Sequence, residues 1–230
     1  LYSYAGRPHH WFKDGVNTLL KKLVYGFWCQ EPQTVGASSW IDQAWLFRPE
    51  QAVPVLKTKH AFVLSEDFFQ TKFVRQLCAS VAVLSGLRTD SLSQVQTLVL
   101  VPHPNNQKKM HRYKQKVLAL VRQLTAAGQT VAVKYHPRQK GRDALGLGQN
   151  SNVLVLPSTL AFEMILPSLP NQTQIIGDVG TTLLTAKWLR PDSRPMAILN
   201  SEDPFAKRFI PLMKAMSVKV VSSVEDIRLA

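Results

Sequence analysis

Two cysteines, Cys29 and Cys78, are all that the 230 residues contain. So few exclude a disulfide framework, and neither sits among the spaced Cys and His residues of a metal-ligand cluster. Such usage fits a reducing, cytoplasmic setting. Long apolar runs are missing too. The longest, around Cys78–Leu87 and Leu160–Leu169, fall short of the roughly 20 residues that a membrane-spanning helix needs, and no signal-peptide pattern appears. No internal repeat or low-complexity block is present. Acidic residues are scarce: 15 Asp and Glu against 28 Lys and Arg leave a formal net charge of +13. No Asp-x-Asp pair of the kind that holds a metal-bound nucleotide occurs. Helix-turn-helix, zinc-finger and aromatic-rich RNA-binding patterns are also lacking, so nucleic acid is not an expected partner.

The charge itself calls for an anionic partner, and nucleic acid, an anionic membrane surface, an acidic polysaccharide and a nucleotide donor all satisfy it, since composition does not choose among them. Hydrophobic residues make up 45% of the chain, enough for a globular core. The chain opens at Leu1, and residues 1–12 do not read as a domain's first strand. The expectation is a partial amino-terminal segment.

Hydrophobic periodicity divides the chain near residue 90. Before it, 16–27 ("VNTLLKKLVYGF") place Val16, Leu19, Leu20, Leu23 and Phe27 at helical spacing, with Lys21 and Lys22 outward. Residues 29–60 read as irregular, apart from a short apolar run at Ala44–Phe47. In 64–77 a helix is expected with Ser65 as N-cap, and 88–96 ("RTDSLSQVQ") read as a polar linker. Beyond it strands and helices alternate. Strands are expected at 97–101, 130–135, 153–156, 173–177, 196–199 and 218–221. Helices are expected over Lys108–Ala127, 158–166 with Ser158 as cap, 181–189, and Pro204–Met216. Apolar runs alternating with amphipathic stretches predict parallel βαβ units in a doubly wound, Rossmann-like α/β sheet. Ligands bind such sheets beyond the carboxyl ends of the strands.

Three strand-end segments carry suitable chemistry. "VAVKYHPR" (131–138) delivers His136 and Pro137 after the second strand, flanked by Lys134 and Arg138. Glu163 follows the third strand. Gly180, Thr181 and Thr182 open the helix after the fourth. A helix start with free N–H groups and paired hydroxyls suits a phosphate, His136 adds a further donor, and Glu163 can accept from ribose hydroxyls. Plainer readings stand beside these. Thr181 can be an N-cap, Glu163 a helix-dipole partner, and Lys134 with Arg138 a solvated face. His103, in "LVPHPNNQ", is a second His-Pro at a strand end and reads as a loop residue lining the cleft. Lys108, Lys109, His111, Arg112, Lys114 and Lys116 crowd one basic stretch, which suits either solvent or a polyanion.

Taken in order, "YHPR", "LAFEMILPSLP" and "IIGDVGTTLLTAKWL" resemble the donor domain of bacterial sialyltransferases, most closely the polysialyltransferase group. The resemblance runs from about residue 11 to the end. It implies a GT-B glycosyltransferase, with 1–90 a partial acceptor-side segment and linker and 91–230 the donor-binding domain. It further implies inverting transfer of sialic acid from CMP-sialic acid, as donor substrate and without a metal or other cofactor, to an anionic capsule or surface glycan. His136 would meet the CMP phosphate as acid or cationic stabiliser, with Pro137 shaping its turn. Gly180, Thr181 and Thr182 would hold that phosphate, and Glu163 would bind the nucleoside. Asp14, in "WFKDGVNTLL", matches the family's acidic motif and would be the general base. Lys13 stands where that pattern has a second acid. Lys109, Arg112, Lys134 and Arg138 would attract the acceptor or another polyanion. A cytoplasmic enzyme at the inner face of a membrane is expected. A Kdo transferase, or a basic polyanion-binding domain of degenerate transferase fold, would share much of the pattern.

Overall fold

A computed structural model describes residues 2–6, 9–32, 34–199, 204–224, 226 and 227. Two compact units divide at Ser65/Glu66, and each is taken by itself.

The first unit holds the short helices α1 (Tyr2–Ala5), α2 (Trp11–Tyr25) and α3 (Pro54–Lys57), and the strands β1 (Gln43–Leu46) and β2 (His60–Val63). The stretch expected to be irregular thus contains a strand. β1 and β2 pair in parallel, with Trp45 opposite Phe62 and their rings stacked at 4.8 Å. Helix α2 starts earlier than its apolar spacing suggests and buries none of its residues. Leu56 and Ala52 are the buried apolar side chains among the unit's described residues.

The second unit opens with α4 (Lys72–Leu84), whose N-cap is Thr71 rather than Ser65. The Thr71 hydroxyl accepts from the Val74 N–H at 3.3 Å, and a 3-10 turn at Asp67–Gln70 takes up the residues before it. Cys78 and Ala82 are fully buried, with the Cys78 thiol 3.6 Å from the Met164 sulfur. The unit therefore begins well before residue 91. The expected linker is part of it as well, because Leu92 and Val95 are buried.

Strands β3 (Thr97–Val101), β4 (Val131–Tyr135), β5 (Val153–Leu156), β6 (Gln174–Gly177), β7 (Arg194–Ile198) and β8 (Lys219–Val221) form one parallel sheet in the order β5-β4-β3-β6-β7-β8. Between them come α5 (Pro104–Lys109), α6 (Tyr113–Ala126), α7 (Thr181–Leu189) and α8 (Pro204–Ala215). Continuous β-branched runs suit strands covered on both faces. Val99 lies opposite Val133 on one side and Ile176 on the other. Helix α6 covers the sheet with Val117, Leu120, Val121 and Leu124, spaced at one helical face. It ends in a Schellman turn. Gly128 takes φ +79°, the Gln129 N–H reaches the Leu124 carbonyl, and the Gly128 N–H reaches that of Thr125.

Two further helix expectations change. The basic stretch from Lys108 is not one helix but α5 and α6, broken at Arg112, which adopts φ +51°. The break resets the axis so that Tyr113 and the apolar face of α6 pack on the sheet. Residues 158–166 form no α-helix. They turn through short 3-10 segments at Phe162–Met164 and Leu166–Ser168, so Ser158 is not a helix cap. Side chains from elsewhere claim the carbonyls that a helix would use: Lys134 takes Ser158, and Arg190 takes Leu166 and Leu169. Among the described residues, no helix is long and apolar enough to cross a membrane.

Candidate functional site

In the observed strand order the chain winds outward in both directions from the pair β3 and β6, which makes their carboxyl ends the switch point where a ligand site is expected. A cleft of about 470 Å³ lies there. It is lined by His103 after β3, His136 and Pro137 after β4, and Glu163 in the 3-10 turn after β5. Asp178, Gly180, Thr181 and Thr182 after β6, together with Asn106 and Lys134, complete its polar wall. Leu100, Leu160, Phe162 and Leu183 supply apolar surface. Segments 27 and 18 residues apart in the chain, at His136, Glu163 and Thr181, share one concavity.

Each position has a local cause. His136 is half-buried, and its Nδ1 accepts the Arg138 N–H at 3.1 Å, a turn that Pro137 preorganises. An accepting Nδ1 leaves the proton on Nε2. Desolvation lowers the His136 pKa, and the positive potentials of His103, Arg138 and Lys134 lower it further. At neutral pH the ring is therefore a neutral Nε2–H donor. At the other wall Gly180 is the N-cap of α7, in extended conformation and without a side-chain cap bond. The N-cap reading of Thr181 is thereby set aside. Thr181 and Thr182 occupy the first two helical positions, where backbone N–H groups have no partner within the helix.

Lys134, grouped above with the surface cations, is only 5% exposed. The pleat and the β5 pairing point it into the protein, and its Nζ donates to the carbonyls of Ser158 at 2.8 Å and Tyr135 at 3.1 Å. Burial lowers its pKa to about 8, against the opposing pull of Glu163. Arg138 is exposed beside His136, and Arg112 is exposed at the α5–α6 break. The side chain of Lys109 lies outside the described residues. Asp14 belongs to the first unit. There its carboxylate accepts the His10 N–H at 2.8 Å at the start of α2, and His9 Nε2 stands 4.0 Å away.

Asp178 is the residue that the motif reading passed over, although it lies inside the quoted "IIGDVGTT". It directly follows β6 at the switch point, and that position is the signal that marks it. Desolvation raises its pKa to about 6, only partly offset by a hydrogen bond from its own backbone. A carboxyl held near neutrality in a cleft is the kind of group that functional sites contain.

Comparison with known proteins adds no family to this picture: no family model matches the chain, and no curated protein matches it. Parallel strands in Rossmann-like α/β order, with polar groups gathered at the switch point, stand on the geometry alone.

Proposed function

We propose that the second unit binds the CMP moiety of CMP-sialic acid, and that the protein is an inverting, metal-independent glycosyltransferase of GT-B architecture. The observation that carries this reading is the convergence of His136, Glu163 and the Thr181–Thr182 helix start on one cleft at the switch point. Their order along the chain is that of the sialyltransferase motifs. Phosphate would sit at the start of α7, held by backbone N–H groups and two hydroxyls, with His136 donating from Nε2. Glu163 would accept hydrogen bonds from the nucleoside.

In the transfer step a carboxylate removes the proton of an acceptor hydroxyl while that oxygen forms a bond to the anomeric carbon of sialic acid. The bond from that carbon to the phosphate oxygen breaks, and the electron pair leaves with CMP. His136, the threonines and the helix dipole meet the charge that develops on the leaving phosphate. By resemblance the carboxylate is Asp14; within the cleft, Asp178 is a carboxyl whose pKa burial raises. The net charge of +13 favours an anionic acceptor.

Calorimetric titration of CMP into the full chain and into His136→Ala tests the reading. Binding to the wild type, weakened roughly tenfold or more in the variant, is expected for loss of one charge-assisted hydrogen bond. No binding to either protein overturns it and leaves a basic polyanion-binding domain as the better account. If the donor site holds, transfer assays with CMP-sialic acid and CMP-Kdo decide between the two sugars.

A further inference from the structure

The cleft contains two His-Pro turns, at the ends of the adjacent strands β3 and β4, and they are built alike. In one, the Asn105 N–H donates to His103 Nδ1 at 3.1 Å; in the other, the Arg138 N–H donates to His136 Nδ1 at 3.1 Å. Both rings are therefore held in the tautomer that carries its proton on Nε2. The ring centroids are 4.8 Å apart, edge to face at 74°. Both residues line the same cavity.

We propose that His103 is a second ligand-contacting residue, which with His136 forms a two-imidazole clamp on a single phosphate group. This rests on the reading of the cleft as a nucleotide site.

His103 also serves as N-cap of α5, but that role needs only an acceptor, which Asn or Asp supplies as well. What the cap does not explain is an Nε2–H donor beside a second ring fixed in the same tautomer. Among the described residues, neither Nε2–H has a hydrogen-bond acceptor in the protein. An anion placed against both Nε2–H groups satisfies both donors. A phosphate has acceptor oxygens enough for two imidazoles, two threonine hydroxyls and backbone N–H groups together.

The test separates the cap from the contact. His103→Asn keeps an oxygen able to accept the Asn105 N–H while removing the ring and its donor; His103→Ala removes both. With CMP as the probe in calorimetry, His103→Asn is expected to bind roughly tenfold more weakly than wild type, as expected for the loss of one good hydrogen bond. Its melting temperature should stay close to wild type. In long-range proton–nitrogen spectra of the full chain, CMP should move the Nε2 signals of both histidines. CMP binding unchanged in His103→Asn but lost in His136→Ala, or a shift of His136 alone, overturns the clamp and leaves the donor site intact. Failure of the wild type to bind CMP overturns both.

Discussion

Lys134 Nζ donates to the Ser158 carbonyl at 2.8 Å, which ties the end of β4 to the loop that carries Glu163. The same nitrogen donates to the Tyr135 carbonyl at 3.1 Å. A neutral amine has two N–H groups, which these two carbonyls satisfy; the ammonium form leaves a third N–H over. Folding lowers the Lys134 pKa from 10.5 to about 8 by burial, so the folded protein binds fewer protons than the unfolded chain between those values. Stability from this group is present above pH 10.5 and is lost as pH falls through about 8. Urea unfolding of wild type and Lys134→Met should show the wild type gaining relative to the variant between pH 8 and 10. A constant difference would mean that the lysine stays charged in the fold.

Asp178 works in the opposite sense. Desolvation raises its pKa from 3.8 to about 6, so the folded protein holds this proton more tightly than the unfolded chain does. Its contribution to stability is full below about pH 4 and is lost as pH rises through 6. Asp178→Asn, which never ionises, should therefore be more stable than wild type at pH 7.5, by on the order of 1–2 kcal/mol. At pH 4 the advantage should vanish. Paired denaturation curves at the two pH values measure it. Equal stability at pH 7.5 would show that the carboxylate is better solvated than the cleft suggests. A gain in stability coupled to loss of ligand binding in the cleft would mark a strained functional group.

The strands of the six-stranded sheet were legible because nothing competes with their apolar runs. Thr97–Val101, Val153–Leu156 and the helix Thr181–Leu189 match the expected spans residue for residue. The order of His136, Glu163 and the Thr181–Thr182 pair also pointed to one edge of the sheet, where the structure has them in one cleft. Residues 158–166 failed for a different reason. Their pattern is helical, but Lys134 from 24 residues upstream and Arg190 from 24 residues beyond Leu166 take the carbonyls. No local rule contains that competition. The break at Arg112 is likewise set by how α6 docks. Asp178 was readable in principle, since a residue one step past a strand at the switch point needs only the strand order to be noticed.

Arg190 is 8% exposed and forms the rivet of that reshaped loop. Its guanidinium donates to the carbonyls of Leu166, Leu169 and Pro170, and holds Asp192 through Nε at 2.9 Å and Nη2 at 2.8 Å. The bidentate partner lowers the Asp192 pKa despite partial desolvation. Arg190→Met leaves buried carbonyls unsatisfied and Asp192 unpaired. A loss of about 1–3 kcal/mol is expected, as for leaving buried carbonyls without a donor, with the partly exposed Asp192 adding little. Arg190→Lys should recover little, because an ammonium lacks the planar fork. Hydrogen exchange localised to residues 160–171 should accelerate in both. Exchange that rises evenly over the whole second unit would count against a local rivet.

Tyr135 closes the other side of the site. Its side chain is 1% exposed, and its hydroxyl donates to Asp143 at 2.7 Å while accepting the Leu145 N–H at 3.1 Å. Desolvation alone would raise the Asp143 pKa. Hydrogen bonds from Gly148, Tyr135, Leu147 and Gly146 together outweigh it and hold the carboxyl below its usual value. Stability from Asp143 is thus present above pH 3.8 and is lost as pH falls through its lowered folded value. Tyr135→Phe removes a charge-assisted bond at neutral pH, and a cost of about 1.5–3 kcal/mol is expected. In acid, once Asp143 takes up its proton, the bond is no longer charge-assisted and the cost should shrink. Urea midpoints of wild type and variant, followed from pH 7 downward through the titration of Asp143, compare the two states. A penalty equal at both would mean that the bond from the Leu145 N–H to the hydroxyl, rather than the charge-assisted bond to Asp143, anchors the loop that follows β4.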